Sequence, residues 1–432
     1  MKLKFYKSIL LRLMIIVILL HGSAVYTSVY AEETVLGEGT DPSEQEYPRK
    51  LESKDGWEKL ASLPGDIIYF PFKVIFKGSE TTIAYVHESM IIPKVVDYLT
   101  SDDGLRGLRP EYSARSGGGP RLFVNDLLTE GSKLNLGASA GLRGRKQLQA
   151  DFARIQLMNN YLRADLLLRY RFLSDESFFG IGPNPSLDDR TNFAHSQTTA
   201  AARLIANVTR SLSLEAKPGI EFNRVLAGRD NTILSTDAVY SETGLPGLET
   251  DAGMASIELT ANLDSRDRPA NPMSGSQALL GAGLFRGLED SFGFYKLRAG
   301  FTHHLDLFYN RAIVLRIAAE FTEPMSGRRV PFYYLSELGS QETIRGFKRG
   351  RFRDRDMLLG SIEYRYPIWR RAVYARLFFD FGQVAYSFGR DPYGENLHTG
   401  VGCGIIAWGD DGALVRMTLG RSKDGIRFYL SL

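Results

Sequence analysis

One stretch of the chain decides its fold: Leu359-Gly360-Ser361-Ile362-Glu363-Tyr364-Arg365-Tyr366-Pro367-Ile368. Apolar or aromatic residues stand at every second position from Ile362 onward, and Ser361, Glu363 and Arg365 stand between them. Successive side chains of a β-strand point to opposite faces of the sheet. This spacing therefore predicts a strand with one apolar face and one charged face.

The same alternation continues from about residue 107 to the C-terminus. It fills about sixteen segments: 107–116, 119–128, 133–143, 147–157, 161–172, 192–208, 211–225, 254–266, 275–287, 291–306, 310–321, 356–369, 372–384, 397–407, 411–420 and 424–432. A soluble β-sandwich would show the same period. Segments of about 9–11 residues with no helix between them favour a transmembrane barrel, whose closure satisfies the backbone hydrogen bonds. We predict an all-β fold, an antiparallel transmembrane β-barrel of about 16 strands over residues 106–432.

The gaps between the segments indicate which end of the barrel faces outward. Four gaps are long, and they follow the fifth, seventh, eleventh and thirteenth segments: 173–191, 226–253, 322–355 and 385–396. Bacterial barrels have long extracellular loops and short periplasmic turns. With a periplasmic N-terminus, the four long gaps all face outside. This parity favours the membrane barrel over the soluble sandwich.

The first thirty-one residues predict export. Four basic residues accompany the apolar run Leu13–Leu20, which is shorter than the roughly 20 residues of a membrane-spanning helix. Val29-Tyr30-Ala31 fits a signal-peptidase site, so we expect cleavage after Ala31. Export together with the predicted barrel indicates location in the outer membrane of a Gram-negative-type bacterium.

The composition adds two further constraints. Cys403 is the only cysteine, which excludes an internal disulfide. A net charge of +3 gives no reason to expect a nucleic-acid partner.

The end of the chain also fits an outer-membrane barrel. Lys423, Gly425, Phe428 and Leu430 follow a polar-x-Gly-x-x-apolar-x-apolar pattern. The pattern resembles the C-terminal assembly signal of such barrels. Those signals usually finish on Phe or Trp, whereas this chain finishes on Leu432 and preserves the alternation.

Charges on two neighbouring segments and on the loop before them are expected to meet inside the barrel. Alternation places Glu363 of the twelfth segment and Asp380 of the thirteenth in the lumen, and the loop 322–355 carries Arg345. An unpaired charge in a closed lumen is costly, and a guanidinium can engage carboxylates through two parallel bonds. Arg345 is therefore a candidate to meet both carboxylates in the lumen. Taken alone, an Arg-Gly-Phe tripeptide is as well explained as an ordinary exposed loop.

The combination of motifs resembles one family. Ile344-Arg345-Gly346-Phe347 on the loop, the Gly-x-x-Glu-Tyr-Arg-x-Pro-Ile strand at 360–368 and Phe379-Asp380-Phe381-Gly382 are similar to motifs of the bacterial surface antigen superfamily. That family includes BamA-type insertases, TamA-like proteins and two-partner-secretion transporters. The segment 264–275 also resembles the family's periplasmic turn.

The resemblance implies a sixteen-strand barrel whose inward loop is locked in the lumen. The lock residues that it assigns are Arg345, Gly346, Phe347, Glu363, Asp380 and Gly382. It also implies that the protein inserts or translocates proteins, or moves lipid, through a weak seam between 107–116 and 424–432. The implied partners are outer-membrane lipid and an unfolded protein or lipid substrate.

The N-terminal region departs from the family pattern. Members usually carry periplasmic POTRA modules, whereas only residues 32–105 precede this barrel. Residues 32–56 are polar and acidic and predict a disordered linker. Residues 57–105 predict a short helical segment that serves as a plug or an interfacial helix, with a degenerate POTRA module as the alternative. An accessory periplasmic subunit could then take the place of the POTRA modules.

Two further functional classes stay open. The main alternative is a gated channel plugged by the N-terminal segment and the inward loop. The other is an outer-membrane enzyme, which we do not expect, because His87-Glu88 lacks the second histidine of a zinc-protease helix. Gly400, Gly402 and Gly404 are better explained as relief of crowding or as a bend on a strand than as a phosphate loop. We expect no catalytic residue, cofactor or metal.

Overall fold

A computed structural model describes residues 99–431 except 114, 159, 160, 370, 371, 392, 410 and 411. The strands, in chain order, are β1 (Arg106–Ser113), β2 (Gly117–Asn125), β3 (Lys133–Ala140), β4 (Lys146–Leu157), β5 (Leu162–Phe178), β6 (Thr191–Asn207), β7 (Leu212–Ala227), β8 (Ala252–Asp264), β9 (Gly275–Gly287), β10 (Gly293–Leu307), β11 (Arg311–Pro324), β12 (Ser336–Leu338), β13 (Phe352–Asp354), β14 (Asp356–Trp369), β15 (Val373–Ala385), β16 (His398–Gly409), β17 (Gly412–Ser422) and β18 (Gly425–Ser431). The predicted signal peptide, acidic linker and nearly all of the predicted helical segment lie outside the described residues.

Sixteen of these strands form one antiparallel sheet, which confirms the predicted barrel. Each strand pairs with its neighbours in the chain, and β11 pairs with β14 because β12 and β13 form a separate hairpin within the intervening loop. In the described part of the chain no ladder joins β1 to β18. The barrel is therefore nearly closed, and the gap lies between the strands where the family resemblance implies a seam.

The two faces of the sheet differ as the alternation predicts. On β14, Ile362 is exposed and Glu363 is buried. Across the β14–β15 pair, Phe379 is exposed and Asp380 is buried. The apolar side chains cover the outside, because a lipid-facing surface has to be apolar.

The long loops lie at one end of the barrel, as predicted, and they contact one another there. His398 at the start of β16 lies 2.7 Å from the carbonyl oxygen of Pro183 in the loop 179–190. Arg329 of the inward loop, residues 325–355, pairs with Glu242 at 3.2 Å. These contacts form a roof over the end of the barrel assigned as extracellular.

The strands extend further toward the long loops than the alternation predicts. The fifth predicted segment ends at residue 172, whereas β5 continues to Phe178. A register shift between Leu173 and Glu176 interrupts the period of two while the pairing with β6 continues. A sequence pattern of period two therefore stops short of the real strand end.

Candidate functional site: the inward loop and its lumen partners

Arg345 lies on the part of the inward loop that enters the barrel, and it is 7% exposed. Its Nε and Nη2 donate to the two carboxylate oxygens of Asp380 at 2.7 and 2.6 Å. Its Nη1 donates to Oε2 of Glu363 at 2.8 Å. The backbone N–H of Arg345 also donates to Asp380, at 3.0 Å. One arginine therefore holds the loop to β14 and β15 at once.

The surroundings of this ion pair complete its hydrogen bonding. Ser361 donates to Oδ1 of Asp380 at 2.6 Å and lies 3.1 Å from Nη2 of Arg345. The guanidinium carbon of Arg345 lies 3.5 Å from the ring centroid of Phe378. Burial lowers the pKa of Arg345, but the hydrogen bonds and charges of Asp380 and Glu363 outweigh it, and the net shift is upward. The lock is consequently a charged arginine held by two carboxylates.

Two further arginines contact Glu363, and the sequence interpretation did not assign them to the site. Arg365 donates to Glu363 at 3.0 Å, and Arg376 lies 3.5 Å from it. Arg376 also donates to Thr418 on β17. Arg365 and Arg376 are register partners on β14 and β15, so their position on the lumen face was readable from the alternation. Their convergence on Glu363 required the paired sheet.

The other predicted lock residues lie beside Arg345. Gly346 has a φ of +100°, in the left-handed region that favours glycine, and a Cβ there would lie 2.8 Å from the carbonyl carbon of Arg421. Phe347 is fully buried, and its ring packs against Phe352 at 5.0 Å between centroids. A Cβ on Gly382 would lie 3.2 Å from Ile344. A side chain at Gly346 or Gly382 would collide with its neighbours, and the backbone conformation at Gly346 also favours glycine. Phe347 is restricted by its burial.

Two glycines of the barrel wall make room for the loop. A Cβ on Gly400 of β16 would lie 2.0 Å from the carbonyl oxygen of Arg345. A Cβ on Gly420 of β17 would lie 2.6 Å from the backbone nitrogen of Gly346. The sequence interpretation assigned relief of crowding to Gly400 without identifying the neighbour, and it did not single out Gly420. The backbone of the loop lies directly on these two strands.

The inward loop also binds the last hairpin, a contact that the sequence interpretation missed. The hydroxyl of Tyr429 on β18 accepts the N–H of Gly346 at 3.0 Å and donates to the carbonyl oxygen of Phe347 at 2.8 Å. Ser422 at the end of β17 donates to the carbonyl oxygen of Gly346 at 2.9 Å. The loop is therefore attached to the strand that borders the gap in the barrel.

The residues of the predicted C-terminal assembly signal lie on this hairpin. Lys423 lies in the turn between β17 and β18, with Nζ 5.5 Å from the ring centroid of Phe352. Gly425 begins β18 with a φ of +113°. Phe428 is exposed, and Leu430, two residues further along β18, has the same orientation by alternation. Their role in assembly stays a prediction.

Within the described ranges, no group of three or more His, Cys, Asp or Glu side chains could hold a metal ion. No helix in those ranges is long and apolar enough to cross a membrane.

The comparisons with known proteins agree with the fold and the predicted family. A search of the curated proteins finds no match. Similar solved structures include BamA from Haemophilus ducreyi lacking POTRA domains 1–3, with a TM-score of 0.56, 14% identity, and coverage of 75% of this chain and 69% of that one. CdiB from Acinetobacter baumannii gives a TM-score of 0.48, 12% identity and coverage of 74% and 57%. CdiB from Escherichia coli gives 0.47, 14%, 75% and 61%.

The chain thus spans less than two thirds of either CdiB structure, and at 14% identity the similarity to BamA shows the fold alone. The model of the Omp85 superfamily domain matches residues 127–409, which is more than half of the chain. The chain therefore belongs to the Omp85 superfamily, whose barrels are outer-membrane proteins of Gram-negative bacteria.

Proposed function

We propose that this barrel inserts or translocates proteins at the outer membrane, and that the substrate engages the free edges of β1 and β18. Membership of the superfamily supports protein insertion or secretion as the class of function. The observation that carries the proposal is the lack of any ladder between β1 and β18 in the described residues. A strand edge with unpaired N–H and C=O groups is a template for pairing with another strand.

The membrane makes these edges reactive toward a new strand. An unsatisfied backbone polar group in hydrocarbon costs several kcal/mol. Pairing of a strand with an edge that faces lipid therefore lowers the free energy of the system. The edges are short, 8 residues in β1 and 7 in β18. A short edge limits the number of hydrogen bonds that have to break again when the substrate leaves.

The inward loop supplies a means of holding the last hairpin in place. Arg345 fixes the loop to β14 and β15, and Tyr429 fixes the same loop to β18. We propose that the lock residues act as structural switch residues and that none of them is a catalyst. An unfolded protein or a lipid would be the substrate, and an accessory periplasmic subunit would deliver it.

A reversible seal across the gap tests the proposal. Tyr112 on β1 and Ile426 on β18 are exposed and lie at the extracellular ends of the two edges. The test variant is Tyr112→Cys/Ile426→Cys in a Cys403→Ser background. A reducible bifunctional thiosulfonate crosslinks the two introduced cysteines. Insertion of a urea-denatured barrel protein into proteoliposomes is followed by protease protection.

We expect the seal to abolish insertion and reduction to restore it, with each single-cysteine variant unaffected by the reagent. Full insertion through a sealed barrel would contradict the proposal. If the protein instead supports a large ion conductance, and its deletion leaves the protein and lipid composition of the outer membrane unchanged, the channel alternative holds.

A further inference from the structure

The outer face of the barrel carries a shallow apolar groove that lies over β16 and reaches the last hairpin. Its volume is about 680 Å³. This volume is within the range of about 300–1,000 Å³ that small-molecule sites occupy. Two rows of register partners cross β15, β16 and β17 at this height. They are Phe379, Val401 and Arg421 toward the extracellular end, and Leu377, Cys403 and Leu419 below them.

Small side chains on β16 produce the groove. Val401 and Cys403 are exposed at its floor, and each is smaller than its register partner on β15, a phenylalanine or a leucine. The inner face of the same strand is filled, because a Cβ on Gly402 would lie 2.5 Å from the ring of Phe378. β16 is therefore packed on the lumen side and recessed on the membrane side.

One cation lies at the extracellular end of this groove. Arg421 is exposed on the outer face, and it is the only charged residue among the described residues that line the groove. The nearest carboxylate in the chain, Asp424, is buried and binds Arg351 at 2.6 Å. In the part of the chain that the structure describes, no carboxylate pairs with Arg421. Its guanidinium is thus available to a ligand.

A second groove on the outer face shows what this cation adds. It lies over β5 to β10, has a volume of about 560 Å³, and includes Leu204, Leu259 and Leu280 in its wall. None of the described residues that line it is a lysine or an arginine. Both grooves suit an acyl chain, whereas the groove over β16 also offers a site for an anion.

An apolar groove that ends at a cation matches the chemistry of an anionic lipid. In the outer membrane, the extracellular end of a barrel strand lies at the level of the outer-leaflet headgroups. An acyl chain can then lie in the groove while the lipid phosphate reaches the guanidinium. Arginine binds phosphate through two parallel hydrogen bonds, and its guanidinium is less strongly hydrated than an ammonium group.

We propose that the groove over β16 binds one anionic, phosphorylated lipid of the outer leaflet, with an acyl chain against Val401 and Cys403 and the phosphate at Arg421. Ile426 of β18 also lines the groove. The bound lipid therefore connects the last hairpin to β15 on the outside of the wall, as the inward loop does on the inside. The lipid is a resident ligand, and the inference holds whether or not substrates pair with the free edges.

Native mass spectrometry of the protein released from lipid nanodiscs tests the proposal. The chain without its predicted signal peptide is refolded in phosphatidylcholine nanodiscs that contain either diphosphoryl lipid A or phosphatidylglycerol. The measured preference is the ratio of anionic lipid to phosphatidylcholine retained on the protein, divided by their ratio in the nanodisc. We expect wild type to prefer the anionic lipid, and the lipid with the larger preference identifies the source.

Two variants separate the cation from the groove. Arg421→Gln keeps the groove, and we expect the preference to fall about five-fold, the factor that one basic residue near a membrane surface contributes. Cys403→Trp keeps the cation and fills the floor, so we expect less retained lipid of either kind. The matched control, Arg286→Gln, removes an exposed arginine of the outer face that does not line the groove, and it should match wild type.

A photo-crosslinker reports the lipid composition at the site within the membrane. A benzophenone amino acid at Met417, exposed on the outer face of β17, should crosslink lipid A in excess of its mole fraction. The same group at Leu280 in the second groove should crosslink lipids in proportion to their mole fractions.

An equal preference of wild type and Arg421→Gln for both anionic lipids, or crosslinks at Met417 that match the bulk composition, would overturn the proposal. Retention is measured without any protein substrate, so a negative result here leaves the outcome of the sealed-gap experiment unaffected.

Discussion

Arg351 of the inward loop donates from Nε to Oδ2 of Asp424 at 2.6 Å, and the two side chains are 4% and 3% exposed. Asp424 lies in the turn that joins β17 to β18. Arg351 also donates to the carbonyl oxygen of Pro185 in the loop 179–190, at 2.9 Å. Arg351 therefore connects the inward loop both to the turn before β18 and to the loop 179–190. A displacement of β18 has to move the inward loop or break the ion pair with Asp424.

The first prediction concerns this ion pair. Asp424→Ala leaves a buried arginine without its partner, which costs about 3–5 kcal/mol. We expect the inward loop to become sensitive to protease and the urea midpoint of the folded barrel to fall. Glu342→Ala is the control, because it removes an exposed pair with Arg349 that contributes about 0–1 kcal/mol. Equal protease resistance of the two variants would contradict the prediction.

The second prediction separates charge from geometry at Arg345. Arg345→Ala should release the loop while the barrel still forms, with reduced activity in the insertion assay. Arg345→Lys should release the loop almost as fully, because an ammonium group cannot bind both oxygens of Asp380 in parallel and reach Glu363 as well. Limited proteolysis of the loop measures both. Wild-type protection in the lysine variant would show that a positive charge alone is sufficient.

The third prediction uses two glycines of the barrel wall. Gly400→Ala places a methyl group 2.0 Å from the carbonyl oxygen of Arg345, and overpacking of this kind costs about 1–3 kcal/mol. Gly300→Ala on β10 is the matched control, because its Cβ would meet no atom closer than 4.0 Å. Folded and unfolded barrels migrate differently on gels, so the temperature at which the folded band is lost can be measured for each variant. We expect this temperature to be lower for Gly400→Ala than for Gly300→Ala. A Gly300→Ala variant as unstable as Gly400→Ala would refute the assignment to the loop contact.

The fourth prediction concerns the contact between the loop and β18. Tyr429→Phe keeps the ring and removes the hydroxyl that accepts from Gly346 and donates to Phe347. Leaving a buried N–H and a buried C=O unsatisfied costs about 1–3 kcal/mol for each group. Hydrogen exchange at Gly346 should accelerate. Unchanged exchange would mean that water replaces the hydroxyl without loss.

The fifth prediction is a pH dependence located in the inward loop. Burial raises the pKa of Asp354 on β13 from 3.8 to about 6. The folded loop then binds more protons than the unfolded one between about pH 4 and 6, so its stability falls as the pH rises through this interval, by at most about 1.4 kcal/mol per pH unit. Asp354→Asn should remove that dependence from the urea midpoint of loop protection. An Asn variant that keeps the wild-type slope would assign the slope to another group.

Part of the site could be predicted because local alternation decides which face a side chain occupies. Glu363 and Asp380 were placed in the lumen from the period of two, and the resemblance added Arg345 as their partner. Tyr429, Gly420 and the Arg351–Asp424 pair could not be predicted this way. Arg351 and Asp424 lie far apart in the chain, and each is individually an ordinary polar residue in a loop.

The sequence by itself determined the number of strands, the two faces of the wall and the end at which the long loops lie. The physical reason is that each of these depends on a repeat of two residues or on the length of a connection. Only the tertiary structure decided that the inward loop lies on β16, β17 and β18 and that the sheet stays open between β1 and β18 in the described residues. Those outcomes depend on the path of the loop through the lumen and on the curvature of the sheet, which arise from packing between parts of the chain that are distant in sequence.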